Sequence, residues 1–236
     1  MRGFAAALGV PAPRLKVAVA SEEDWLERWK EFFVPVAIGE TLLVRPPWAA
    51  GEREGGRKEV VIRPGLAFGT GLHATTKMCL EFLAETVKGG ERVVDVGAGS
   101  GVLSIAACKL GAEVAVAVDN DPVALRECRR NCAENGVLGR VLILGGSLLS
   151  ALRGRQDLLV CNIEAGAACE VARRGNEALK ARGCLILAGF TSEREAEVSR
   201  ALVQGGFLLE GRRQEGPWVS FSARGSSGLR PGTKGG

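Results

Sequence analysis

The chain has 236 residues, 46% of them hydrophobic and 25% charged, enough to bury the core of one medium domain with a smaller appendage. Its formal charge of +4 comes from the last thirteen residues, which hold Arg224, Arg230 and Lys234 and no acid; without those three, Lys and Arg number 28 against 27 Asp and Glu. A nearly neutral body offers no basic face for nucleic acid, and no apolar run reaches the roughly 18 residues that span a membrane, so neither partner is expected.

The N-terminus carries no charged-then-apolar leader pattern, which points to a soluble, cytoplasmic protein. Ser21 is placed to cap a helix over EEDWLERWKEFF (22–33), whose Trp25, Trp29 and Phe32 or Phe33 form a packing stripe. A short strand over Thr41–Val44 follows, and then PPWAAGEREGGRK (46–58) reads as a linker. Residues 1–45 are thereby expected to form a small N-terminal segment that swings on that linker, and 59–223 the main domain.

From Glu59 onward the rhythm changes. A strand at 60–62 leads through the glycine-rich loop Pro64–Gly71 into a helix from Ala74 to Val87. Apolar strands RVVDV (92–96), VAVAV (114–118), VLIL (141–144), DLLVCN (157–162) and CLILA (184–188) then alternate with helices near 101–110, 122–134, 166–181 and 192–204. Strands apolar on both faces predict a parallel sheet covered by helices on both sides. The last two segments, 206–212 and 218–223, predict an antiparallel hairpin, giving an α/β, Rossmann-like, mostly parallel seven-stranded sheet. Residues 224–236 hold almost nothing apolar and predict a disordered tail.

The strongest local signal is VVDVGAGSG (93–101), where a strand ends and Gly97, Gly99 and Gly101 open a helix. Glycines there let the backbone approach a ligand without a Cβ clash. The spacing is GxGxG rather than the GxGxxG of pyrophosphate binding, which suits S-adenosylmethionine, a cofactor with no phosphate. Asp119, at the tip of the second strand, can accept from both hydroxyls of an adenosine ribose, or it can cap the next helix. Asp121, followed by Pro122, is the better cap. Asn162 ends the DLLVCN strand, where ligands of open α/β sheets bind, and its amide can accept from an incoming amine and aim the lone pair at a methyl group. Glu164 could take the amine's proton or be a solvated carboxylate. Thr76 would offer a hydroxyl in a first helical turn, and His73 is equally suited to a structural hydrogen bond or to catalysis. Seven cysteines without a CxxC pair, and a single histidine, make no metal site; reduced, buried thiols are expected.

Together these residues resemble the bacterial ribosomal protein L-eleven (L11) methyltransferases, PrmA. DWLERWKEFFVPVAIGE is similar to the segment joining that family's small N-terminal domain to its catalytic domain, and PGLAFGTGLHATT to its signature loop. VVDVGAGSGVLSIAACKLGA resembles its first cofactor motif, VDNDPVAL its ribose-binding turn, VCNIEA its active-site strand and EGPWVSF its closing strand. The chain departs from the family in having Ala74 after His73 and Glu164 after Asn-Ile.

The resemblance implies a class I S-adenosylmethionine-dependent protein N-methyltransferase acting on lysine side chains or the N-terminal amine of ribosomal protein L11. It places Thr76, Gly97, Asp119 and Asn162 at cofactor-binding positions, with Asn162 also receiving the amine, and makes residues 1–45 a reduced substrate-recognition segment. The alternatives are methylation of another protein lysine or a small amine, a nicotinamide-dependent oxidoreductase, and a non-catalytic relative that keeps only cofactor binding. Absence of an Asn-Pro-Pro-aromatic motif after Asn162 argues against adenine or glutamine amides as acceptors.

Overall fold

The computed structural model describes residues 33–50, 56–65, 73–150 and 152–226. Two antiparallel strands, β1 (Val36–Ile38) and β2 (Leu42–Arg45), lead to β3 (Lys58–Val61), which pairs with β2 in parallel. The main sheet holds β4 (Arg92–Val96), β5 (Val114–Asp119), β6 (Val141–Gly145), β7 (Gln156–Asn162), β8 (Leu179–Thr191), β9 (Phe207–Glu215) and β10 (Trp218–Gly225). Its strand order is β6-β5-β4-β7-β8-β10-β9; the first five are parallel, and β10 lies antiparallel to both β8 and β9. This is the sheet that the alternating strands and the closing hairpin predict.

Helices cover both faces. α1 (Ala74–Thr86), α2 (Val102–Leu110) and α3 (Pro122–Glu134) pack on one side, where Leu80, Leu83, Ile105 and Cys128 are buried. α4 (Ala165–Ala178) and α5 (Glu195–Gln204), the latter entered by a 3-10 turn at Ser192–Arg194, pack on the other with Val171, Val198, Leu202 and the stacked pair Phe190 and Phe221. Because helices close off both faces, the central strands can be Val, Leu and Ala almost throughout. Asp121 caps α3 by accepting from the Val123 N–H at 2.8 Å, with Pro122 in the first turn, as its sequence position predicts. All seven cysteines are buried and free. No helix among the described residues is long and apolar enough to cross a membrane.

Three boundaries differ from expectation. Residues 46–58 do not separate a small segment from the main domain: Leu42–Arg45 pair with Lys58–Val61 on either side of them. Arg45 ties that connection down by bonding the Glu59 carboxylate at 2.7 Å and the Ala49 carbonyl at 3.0 Å. Ile38, Leu42, Val44 and Val60 bury their side chains in the same core as α1 and α2, so apolar burial overrides the polar, Pro- and Gly-rich look of the connection. Two buried asparagines of α3 fasten this sheet further. Asn135 donates to the Val61 carbonyl and accepts from its N–H, and Asn131 accepts from the Arg63 N–H while donating to the Ser100 carbonyl. Second, α4 stops at Ala178, three residues short of the expected end, because Leu179 turns extended and is buried opposite Gln156. Third, β10 runs to Gly225, two residues into the expected tail, since Arg224 and Gly225 pair with β9 and Arg224 bonds Glu210. The expected helix at 22–33 lies outside the described residues except for Phe33, which is buried.

Candidate active site

The chain runs outward from β4 through β5 to β6, then crosses back to lay β7 on the other side of β4. Such a reversal leaves a crevice at the carboxyl ends of the strands, where ligands of open α/β sheets bind. Here it is a cleft of about 760 Å³ with two unlike walls.

The first wall follows β4 and β5. The Gly97 and Ala98 N–H groups both donate to the Val118 carbonyl, at 2.8 and 3.1 Å, which folds the glycine loop back over β5. Gly97 has φ +73, and a Cβ there would enter the side chain of Ile163, so only glycine fits the turn. Asp119 is gripped on both oxygens: Oδ2 accepts from the Gly99 N–H and Oδ1 from the Asp121 N–H, each at 2.9 Å. A carboxylate oxygen has two lone pairs, so each keeps one for a ligand hydroxyl. Behind this wall Asp95 is wholly buried in β4, with Oδ2 accepting from the Ser104 N–H and hydroxyl at 3.0 and 2.8 Å. Burial pushes its pKa up to about 7, against the pull of Ser104.

The second wall comes from β7, β8, β10 and the start of α1. Asn162 ends β7 and donates from Nδ2 to the Thr76 hydroxyl at 3.1 Å. That bond fixes the amide's orientation and leaves Oδ1 buried with no partner among the described residues. An unsatisfied buried carbonyl oxygen costs about 1–3 kcal/mol, so it awaits a donor. His73 caps α1, its Nδ1 accepting from the Thr75 N–H, and its ring meets Trp218 edgewise with centroids 4.7 Å apart. Trp218 reaches the cleft because β10 is antiparallel to β8, which places it opposite Thr191 at the carboxyl end of that strand. Gly189 has φ +95 and backs onto the Ile163 carbonyl, where a Cβ would collide with backbone. Glu164 stands exposed at the cleft just ahead of α4 and makes no side-chain cap bond.

Of the residues singled out from sequence, Gly97, Gly99, Asp119 and Asn162 all line the cleft. Gly101 and Thr76 do not. Gly101 begins α2 facing Cys128, and the fully buried Thr76 lies behind Asn162 and reaches the cleft only through it. Thr75, the neighbouring residue, lines the wall instead. Sequence reasoning missed Trp218 and Gly189. A glycine breaking the apolar run of β8 was the one available signal, and Trp218 becomes visible only once the hairpin is docked.

The charged lining consists of Asp119, Asp121 and Glu164, with no lysine or arginine. Such a cleft attracts a cation and repels phosphates. Cys161, beside Asn162, is no proton acceptor, because burial first and Asp95 second raise its thiol well above the usual range.

Comparison with known proteins gives a consistent result. The family described as "Ribosomal protein L11 methyltransferase (PrmA)" matches residues 5–226. A ribosomal protein L11 methyltransferase of Pelotomaculum thermopropionicum is 42% identical over 214 residues, 91% of this chain and 70% of that protein. The crystal structure of a ribosomal protein L11 methylase from Lactobacillus delbrueckii subsp. bulgaricus superposes with a TM-score of 0.77 at 27% identity, covering 81% of this chain and 98% of that one. An RNA methyltransferase from Salinibacter ruber, solved with S-adenosyl-L-homocysteine, shares the fold at a TM-score of 0.53 and 15% identity, over 66% and 95% of the two chains.

Proposed function

The chain belongs to the ribosomal protein L11 methyltransferase family, and we propose that it transfers methyl groups from S-adenosylmethionine to amino groups of ribosomal protein L11, on lysine side chains, the N-terminal amine or both. Its fold is the Rossmann-like class I methyltransferase fold, a mostly parallel seven-stranded sheet ended by an antiparallel hairpin. The observation that carries the reading is the partnerless Asn162 Oδ1 at the wall of a cleft whose charges are all carboxylates.

When bound, S-adenosylmethionine supplies a methyl group on a sulfonium, activated for in-line displacement. The residues present fit that molecule. The free lone pairs of Asp119 suit the ribose diol, the close backbone at Gly97 and Gly99 admits a flat, phosphate-free ligand, and the carboxylates favour its positive charge. The same lining disfavours a dinucleotide pyrophosphate or a nucleic-acid backbone. Asn162, held by Thr76, accepts an N–H of the amine and aims the nitrogen's lone pair into the cleft. Positioning of this kind can supply much of the rate when the leaving group is already activated. The proton lost before attack leaves through the open mouth to solvent, in keeping with a cytoplasmic enzyme and a protein substrate docked outside.

Calorimetric titration with S-adenosylmethionine, with NAD in parallel, tests the cofactor, and mass analysis of ribosomal protein L11 after incubation tests the acceptor. Binding of the first alone and mass gains of about 14 per methyl are expected. NAD binding, or an unmodified L11 in the presence of bound S-adenosylmethionine, would overturn the corresponding half of the proposal.

A further inference from the structure

We propose that Glu164 receives the acceptor amine as an ammonium ion at the mouth of the cleft and so sets the preference for a cationic substrate; the inference rests on the amine reading above. Asn162 supplies one acceptor deep in the wall, and two residues further on the chain presents a carboxylate to the same cleft.

Glu164 has no structural employment of its own. It occupies the capping position of α4 without a cap hydrogen bond, and among the described residues no hydrogen bond or ion pair engages its side chain. A carboxylate there is favoured by the helix N-terminus, which keeps it ionised without using its lone pairs. Other charges around it are committed. Arg194, at the turn before α5, lies within electrostatic range but is held by Glu197 at 2.7 Å. Across the cleft, Asp119 is held by two backbone N–H groups and Asp121 caps α3. His73 accepts from Thr75 through Nδ1.

The occupant this arrangement fits is a primary ammonium on a flexible stem, which is how a lysine side chain or a chain terminus arrives at neutral pH. Its neighbours Ile163 and Ala167 offer apolar contact to the stem, and Trp218 and His73 line the same cleft. Glu164 thus acts on arrival rather than on the methyl transfer itself. It pairs with the ammonium; one N–H proton then leaves to water, and the freed lone pair turns to the Asn162 side of the cleft. The nitrogen–carbon bond forms as the carbon–sulfur bond breaks, its electron pair going to sulfur.

The test is steady-state methylation of purified ribosomal protein L11 by wild type, E164Q, E164D and E164K. A screened pair at a cleft mouth corresponds to a KM for L11 about five-fold higher in E164Q, with kcat and the S-adenosylmethionine Kd within two-fold of wild type. E164D restores KM toward wild type, and E164K raises it beyond E164Q. The gap between wild type and E164Q closes near 1 M salt, where charges are screened beyond about 3 Å. A merely structural Glu164 would alter melting temperature without this split or its salt dependence. Equal KM values in wild type and E164Q at low salt, or a fall in kcat alone, overturn the inference. Should E164Q fail to fold, the comparison of E164D with E164K decides in the same way. Inactivity of the wild type toward L11, by contrast, is a failure of the functional reading itself.

Discussion

The two walls of the cleft are built on opposite principles. On the β4–β5 side every polar group is occupied: the glycine loop bonds Val118, and Asp119 is gripped by two backbone N–H groups at 2.9 Å. On the β7–β8–β10 side the Asn162 oxygen has no partner among the described residues and Glu164 makes no cap bond. A wall that is satisfied by itself is rigid before its ligand comes, which suits a cofactor of fixed shape. A wall with acceptors left over is completed by its ligand, which suits a substrate that must be recognised, modified and released.

The sharpest way to break this contrast is to injure each wall separately. N162A should lower kcat about 100-fold while the S-adenosylmethionine Kd moves less than three-fold, because misplacing the amine costs orders of magnitude in rate. D119A should do the converse, weakening the cofactor about 50-fold by calorimetry with kcat at saturation little changed, since bonds to a charged group are worth about 1.5–3 kcal/mol each. If both variants lose affinity and turnover together, with lowered melting temperatures, the walls are not independent.

T76V sharpens the second wall. It keeps the shape of the threonine but leaves the Asn162 amide without its anchor, so kcat should fall about ten-fold, at a stability cost near 1 kcal/mol. An unchanged kcat would mean that packing alone orients the amide.

The smallest effect on either wall is expected from D95N, whose readout is stability instead. Asp95 holds its proton to about pH 7 in the folded chain, whereas an exposed aspartate ionises near the ordinary value of 3.8. The stability belonging to the protonated form is therefore complete below about pH 4 and is lost as pH rises to about 7. Thermal melts of wild type should weaken across that window and those of D95N should be flatter; parallel curves would sink the assignment.

The same contrast explains what could be read from sequence. The cofactor wall is local: a strand, a glycine loop and the acid at the next strand's tip lie within Val93–Asp119, so spacing alone points to Gly97, Gly99 and Asp119. The parallel core was equally legible, because strands buried on both faces leave runs such as VVDV and LLVC. The amine wall is assembled from places 145 positions apart, His73 to Trp218, which only the completed sheet brings together. Asn162 was legible from its strand end, but Thr76 as its anchor and Trp218 as its neighbour were not. The small sheet escaped for a related reason: β2 and β3 find each other across a stretch whose composition suggests only a tether.

Ile163 joins the two walls, and this has an evolutionary consequence. Its side chain fills the space a Cβ at Gly97 would need, and its carbonyl fills the space a Cβ at Gly189 would need. The first conflict is negotiable, since a smaller residue at 163 removes the obstacle and leaves only the cost of the backbone angle. The second is not, because every amino acid brings the same carbonyl. Drift at 97 should thus be epistatic, reachable only through a prior change at 163, while 189 is closed to drift from any genetic background that keeps this backbone.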